Sequence, residues 1–204
     1  METIKLAPKT HLDQKLYVHD FLSDFELEDV WRVPVALDSN HSLQLFINQF
    51  NNSNKQAFQK GFTGLLFKIR LGVGRVFGWD RKAQLPTILI PGTLRHRYAE
   101  QENLSYHDLP DPGTGDFVPV YQLENEFLSE IENKTVWAAL HFSRVPVEAN
   151  KFTIHMAVYV RPKGIFGRVY MLLIKPFRHY IVYPALMKSA SERWGQFLNS
   201  ESYT

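Results

Sequence analysis

Two imidazoles and a carboxylate, His141, His155 and Glu126, are the side chains of this sequence best suited to chemistry. If "NEFLSEIEN" pairs with "TVWAALHFSRV" across a tight turn at Asn133, Glu126 lies opposite His141. A register that aligns "TVWAALHFSRV" with "KFTIHMAVYVR" through His141 and His155 then completes the set. Two histidines and a glutamate are a ligand set for zinc. They are equally an acid–base pair tuned by a carboxylate. Cross-strand neighbours are ~5 Å apart, which leaves Glu126 and His155 ~10 Å apart at the backbone. A plain Glu–His hydrogen bond on a partly solvated sheet face is therefore the favoured reading, and neither a metal nor a cofactor is expected.

A second group sits near the C-terminus. Lys175, Arg178 and His179, with Arg168 a turn or two earlier, are suited to a carboxylate, a phosphate or an anionic lipid surface. The plainer reading is the solvated face of an amphipathic helix. A third group, Tyr170, Tyr180 and Tyr183, could orient a ligand in an apolar cavity. Core tyrosines with hydroxyls at the rim explain them as well.

Elements must position these groups. From Phe117 the apolar period is two, so four successive strands form an antiparallel meander. The expected register puts Val136, Ala138, Leu140 and Phe142 with Val160, Val158, Met156 and Ile154 on one wholly apolar, buried face. Trp137, Ala139, His141 and Ser143 share the other face with Tyr159, Ala157, His155 and Thr153. Towards the C-terminus, Phe166, Val169, Leu173, Phe177, Tyr180, Met187, Trp194 and Leu198 follow one helical face, with breaks expected at Pro176 and Pro184.

Upstream, residues 28–36 read as a strand. A helix should follow from a cap at Asp38, Ser39 or Asn40, with Leu43, Phe46, Ile47 and Phe50 on one side, and "NNSN" should end it. "KIRLGVGRVFGW" at 68–79 continues a helical pattern from Phe62 and lacks the third glycine of a dinucleotide fingerprint, so a helix is expected there. Residues 80–116 are punctuated by proline and glycine and read as a long irregular connection or lid, with a short strand at "TILI".

The chain has 204 residues, 23 Lys and Arg against 21 Asp and Glu, and no cysteine. One domain is expected. Disulfides and thiolate chemistry are excluded, and the near-neutral balance argues against a nucleic-acid binder. The opening "METIKLAPKTHLDQK" lacks the apolar stretch of a secretory signal. The most apolar window, 165–187, is too interrupted by charge and proline to span a bilayer. A cytoplasmic location and no integral membrane association are the expectations.

The element order, α+β with a meander closed by a long helix, resembles the helix-grip fold of the START and birch-pollen-allergen-like superfamily. In that fold a curved antiparallel sheet wraps the C-terminal helix. More narrowly, "GFTGLLFKIRLGVGRVFGWD", "TVWAALHFSRVPV" and "GIFGRVYMLLIKPFRHYIVYPALM" are similar to an uncharacterised bacterial domain family with relatives fused to NmrA-like dinucleotide-binding domains. The resemblance covers residues 20–198 and carries no catalytic set. The superfamily implies an apolar cavity between sheet and helix for a hydrophobic small molecule or lipid. Here Leu140, Phe142, Ile154 and Met156 would line it from the sheet, and Tyr170, Phe177 and Tyr180 from the helix. A non-enzymatic ligand-binding domain is the leading expectation. The alternatives are a cyclase- or hydratase-like enzyme using a pocket His or Tyr, and a peripheral membrane or protein-interaction module. A homodimer is a further expectation.

Overall fold

In the computed structural model the described residues are 4–57, 89–112 and 117–201. The helix expected over 62–78 lies outside them, as does the first half of "TILI", and Leu89 and Ile90, its second half, are not in a strand. The fold is α+β: a curved, six-stranded antiparallel sheet in the order β1-β2-β6-β5-β4-β3, with a long C-terminal helical segment. The strands are β1 (Ile4–Leu6), β2 (Glu26–Asp38), β3 (Val118–Gln122), β4 (Glu126–Glu132), β5 (Val136–Glu148) and β6 (Lys151–Pro162). Short helices α1 (Pro8–Leu12) and α2 (Tyr17–Phe21) join β1 to β2. α3 (Leu43–Ala57) follows β2, and α4 (Leu94–Gln101) precedes β3. After β6 come α5 (Gly164–Phe177), a π-turn (Arg178–Val182) and α6 (Tyr183–Glu201).

The meander forms as expected, but its registers differ by two residues. Glu126 pairs with Ser143 rather than His141, and His141 pairs with Ala157 rather than His155. Side chains alternate with period two, so this slip preserves every face assignment and changes only the partners. The β4–β5 turn is held by Asn133, whose Oδ1 accepts from the Thr135 and Val136 amides. Bulges in β2 bend the sheet. One bulged stretch contains Pro34, and there the Pro34 and Ala36 carbonyls accept from Ser191 Oγ and Trp194 Nε1 of α6. Backbone groups released from the ladder thus dock the closing helix.

Both sheet faces are covered. On the first, Trp31, Val33, Phe127, Phe142, Ile154 and Met156 pack against Phe46 and Phe50 of α3 and Met187 and Trp194 of α6. On the second, Val30, Leu128, Ala139, Ala157 and Tyr159 pack under Val18, Phe21 and Leu22 and under Leu94 and Tyr98 of α4. This second face was expected to be partly solvated, and it is buried. α3 also differs from expectation: Ser42 caps it by accepting from the Leu45 amide, and it runs through "NNSN" to Ala57. α4 lies inside the segment read as irregular, with Thr93 as its cap.

Candidate functional site

The second face holds a cluster that the sequence only partly announces. Glu126, near the start of β4, accepts from the amides of Tyr17 (2.7 Å) and Val18 (3.1 Å) at the head of α2 and from His141 Nε2 (3.1 Å). Tyr121 Oη lies 3.5 Å from the same carboxylate. Burial raises the Glu126 pKa, but the His141 and backbone hydrogen bonds outweigh it and hold the carboxyl below its ordinary value. His141 is wholly buried, and burial lowers its pKa against the pull of Glu126.

α1 and α2 bring two more imidazoles. His11 Nε2 lies 3.0 Å and His19 Nδ1 3.2 Å from Tyr159 Oη, and His19 Nε2 lies 3.1 Å from the His11 carbonyl oxygen. The His11 ring centroid is 5.1 Å from that of His19 and 5.4 Å from that of His141. Burial, with His141, His19 and His155 adding to it, pulls His11 down to about 3. Burial likewise pushes the Tyr159 and Tyr121 hydroxyls up.

His155 does not join this group. It pairs with Ser143, its Nδ1 lies 3.2 Å from Gln14 Nε2, and burial with Arg32 lowers its pKa to about 4. Among the described residues no group of three or more His, Asp or Glu side chains is arranged to hold a metal ion.

Glu130, four residues beyond Glu126 on the same face, repeats the device. It accepts from the Leu94 and Arg95 amides at the head of α4 (2.9 Å each) and from Trp137 Nε1 (2.8 Å). Here burial prevails and raises the carboxyl pKa. Each carboxylate therefore meets the positive end of a helix laid across the sheet. The sequence reading missed Glu130, His11, His19 and Tyr159. Glu126, Leu128 and Glu130 alternate on one face of β4, and an acidic pair flanking a leucine was the available signal.

Lys175, Arg178 and His179 are brought together, and their anions lie within the chain. Arg178 donates to Glu28 (2.8 Å), and Lys175 lies 3.5 Å from the same carboxylate. His179 Nε2 is 2.8 Å from Asp29 Oδ1, which Lys5 also reaches at 3.0 Å. Tyr183 donates to Asp29 Oδ2 at 3.2 Å. Arg168 is exposed, with no ion pair among the described residues.

The expected cavity lining separates into two sets. Phe142, Ile154 and Met156 are at most 1% exposed within the first-face core, and Leu140 is half-buried beside them. Tyr170 packs near Val136, Val160 and Met171 at the sheet's end, whereas Tyr180 is 82% exposed and Phe177 half-buried. α5 buries only Gly167 and Met171, while Ile165, Phe166, Val169, Leu172 and Leu173 face outward. Phe166, Val169 and Leu173 were expected on the buried side. Gly167 explains the difference: its bare backbone lies so close to the Thr135 carbonyl oxygen that any Cβ would collide with it, which fixes that side of α5 against the sheet. Beyond the π-turn, Met187 and Trp194 are buried as expected.

A family model matches residues 21–185. The chain belongs to that family, described as Protein of unknown function (DUF2867). The span shared with the family holds the sheet half of the cluster, Glu126, Glu130, His141 and Tyr159, and all of α5. His11, His19 and most of α6 lie outside it. No curated protein and no solved structure matches the chain.

Proposed function

We propose that the protein binds lipid at a membrane surface through the outward face of α5. The observation that carries this reading is the exposure of Ile165 (80%), Phe166 (79%), Leu172 (70%) and Leu173 (73%) on one helix whose opposite side is already docked. Each large apolar side chain left in water forgoes ~1.5–3 kcal/mol of burial. A helix with apolar side chains on its outward as well as its docked side normally has a partner on each, and contiguous patches of this kind mark interaction surfaces.

Charge selects lipid over a second copy of the chain. No Asp or Glu occurs from residue 149 to 191; six of the seven Lys and Arg there pair with carboxylates outside that stretch, and Arg168, on α5 itself, has no ion pair among the described residues. Self-association through α5 would set Arg168 against like charge, while an anionic headgroup would receive it. Such contacts contribute ~1 kcal/mol per basic residue near the surface. An apolar face beside basic residues is the pattern of a helix lying in the interface plane. Among the described residues no helix is long and apolar enough to cross a membrane.

The order of strand, helix, meander and closing helix supports the helix-grip reading that the superfamily resemblance implies. A ligand cavity inside it has weaker support, because Phe142, Ile154 and Met156 already pack against α3 and α6. Flotation with phosphatidylcholine vesicles, with and without phosphatidylglycerol, tests the proposal. Binding should be strong with the anionic lipid, weaker without it and reduced by salt. Failure to float with either vesicle overturns it.

A further inference from the structure

The hydrogen-bond pattern beneath α1 and α2 fixes where the imidazole protons sit. His19 Nε2 faces a carbonyl oxygen and therefore carries a hydrogen, and in the neutral ring Nδ1 then accepts from the Tyr159 hydroxyl. That hydroxyl, having donated, accepts from His11 Nε2–H. His141 Nε2–H donates to Glu126. Both His11 and His141 are thus left with a bare Nδ1 lone pair, and neither Nδ1 has a hydrogen-bond partner among the described residues. Both side chains are 0% exposed.

We infer that this cluster is a proton-operated latch, in which protonation of His11 and His141 releases residues 8–21 from the sheet. The segment depends on the sheet for its position. α1 and α2 have five residues each and no side-chain cap of their own, too short to persist alone. The first amides of α2 are satisfied by Glu126. A proton added at His11 Nδ1 finds no acceptor in the closed state. The groups facing it are His19 from its own segment, His141 from β5, and Tyr159 and His155 from β6, with Gln14, and Arg32 of β2, beyond His155. The nearby carboxylate, Glu126, already accepts from two amides and His141, with the Tyr121 hydroxyl of β3 at its edge. Lifting the segment hydrates both imidazoles and uncovers Val30, Leu128, Ala157 and Tyr159. The latch stands independently of lipid binding at α5.

Hydrogen exchange of the full chain at about pH 7.5 and about pH 5.0, corrected for intrinsic rates, tests this inference. A histidine protonated only in the open state raises the open population about 30-fold over that interval, and two raise it about 1,000-fold. Amides in 8–21 should accelerate within that range while β5, β6 and α6 stay protected. A change below about threefold, or loss of protection in all elements together, overturns the latch. In His11→Gln, which keeps a donor for Tyr159 but cannot titrate, the pH effect should shrink about 30-fold. An undiminished response there also overturns it. Should His11→Gln fold poorly, His141→Gln makes the same test, and the wild-type comparison decides regardless.

Discussion

The two faces of the sheet are covered by different physics. On the first, α3 and α6 are held by apolar packing of Phe142, Ile154, Met156, Phe46 and Trp194, joined by uncharged hydrogen bonds from Ser191 and Trp194 to β2 carbonyls. On the second, apolar packing of Val18, Phe21 and Leu94 is supplemented by two buried carboxylates at helix heads and by imidazoles with fixed tautomers. Apolar burial scales with area and is indifferent to pH. Polar latching fixes position sharply and fails when a proton arrives. The first face should therefore act as the stable scaffold and the second as the responsive one.

The largest test removes material from the scaffold. Phe142→Ala deletes a ring in contact with Phe46, Phe50 and Phe127. It should cost about 3–5 kcal/mol, read as a drop in urea midpoint of equal size at pH 7.5 and 5.5. A penalty that grows on acidification would break the comparison.

The second test removes the charge that anchors α2. Glu126→Gln keeps the shape but turns an amide group towards the Tyr17 and Val18 N–H donors, and should cost about 2–3 kcal/mol. Its pH dependence follows from the directions of the shifts. His11 lies at about 3 in the folded protein against an ordinary 6.5, so the stability it contributes is complete above 6.5. That contribution is lost as pH falls from 6.5 towards 3, at about 1.4 kcal/mol per pH unit. Glu126, held low, contributes above the ordinary carboxylate pKa and loses that contribution as pH falls through its folded value. Glu130, held high, has the opposite sign, and acidification relieves its cost. Wild-type stability should thus decline from pH 6.5 downward, with the histidines leading. An unchanged urea midpoint between pH 7 and pH 5.5 would contradict the assignment.

The scaffold face was legible in the sequence and the responsive face only half so, for physical reasons. Alternation specifies which side of a strand is buried, which placed Phe142 with Met156 and Ile154, and His141 on the other side. It cannot register a two-residue slip, which leaves the pattern unchanged and moved His155 away from His141. Helices of five residues carry too little periodicity to be read, so His11 and His19 went unnoticed. α5 is apolar on every side but the one that carries Arg168 and Lys175, so periodicity could not choose which apolar side is buried. The π-turn then adds a residue to the count, and a face traced from Phe166 to Trp194 loses phase across it. The close approach at Gly167 settles the choice, and no sequence pattern encodes a distance.

That approach supplies the third test. Gly167→Ala puts a methyl group into the Thr135 carbonyl, which is backbone and cannot rotate away. α5 must shift outward, loosening Met171 from Val136 and Val160 at a cost of about 1–3 kcal/mol. Faster amide exchange confined to α5 would identify the damage as local, and an unaltered melting temperature would show that the contact is not constraining.

The smallest effect on stability belongs to the outward face of the same helix, and there the comparison is sharpest. Leu172 and Leu173 contribute little to the fold, being 70% and 73% exposed. Leu172→Ser with Leu173→Ser should change stability by no more than about 0.5 kcal/mol per site. Equally apolar side chains at Phe142 and Met156 would each cost several times that if truncated. A difference so large between residues of similar hydrophobicity is what the proposal of lipid contact at α5 requires. The double substitution should abolish flotation with anionic vesicles while leaving the melting temperature and the acid response of α1 and α2 unchanged. Retained flotation would assign the outward leucines no part in lipid contact. A fall in melting temperature of several degrees would mean that they are packed within the fold after all.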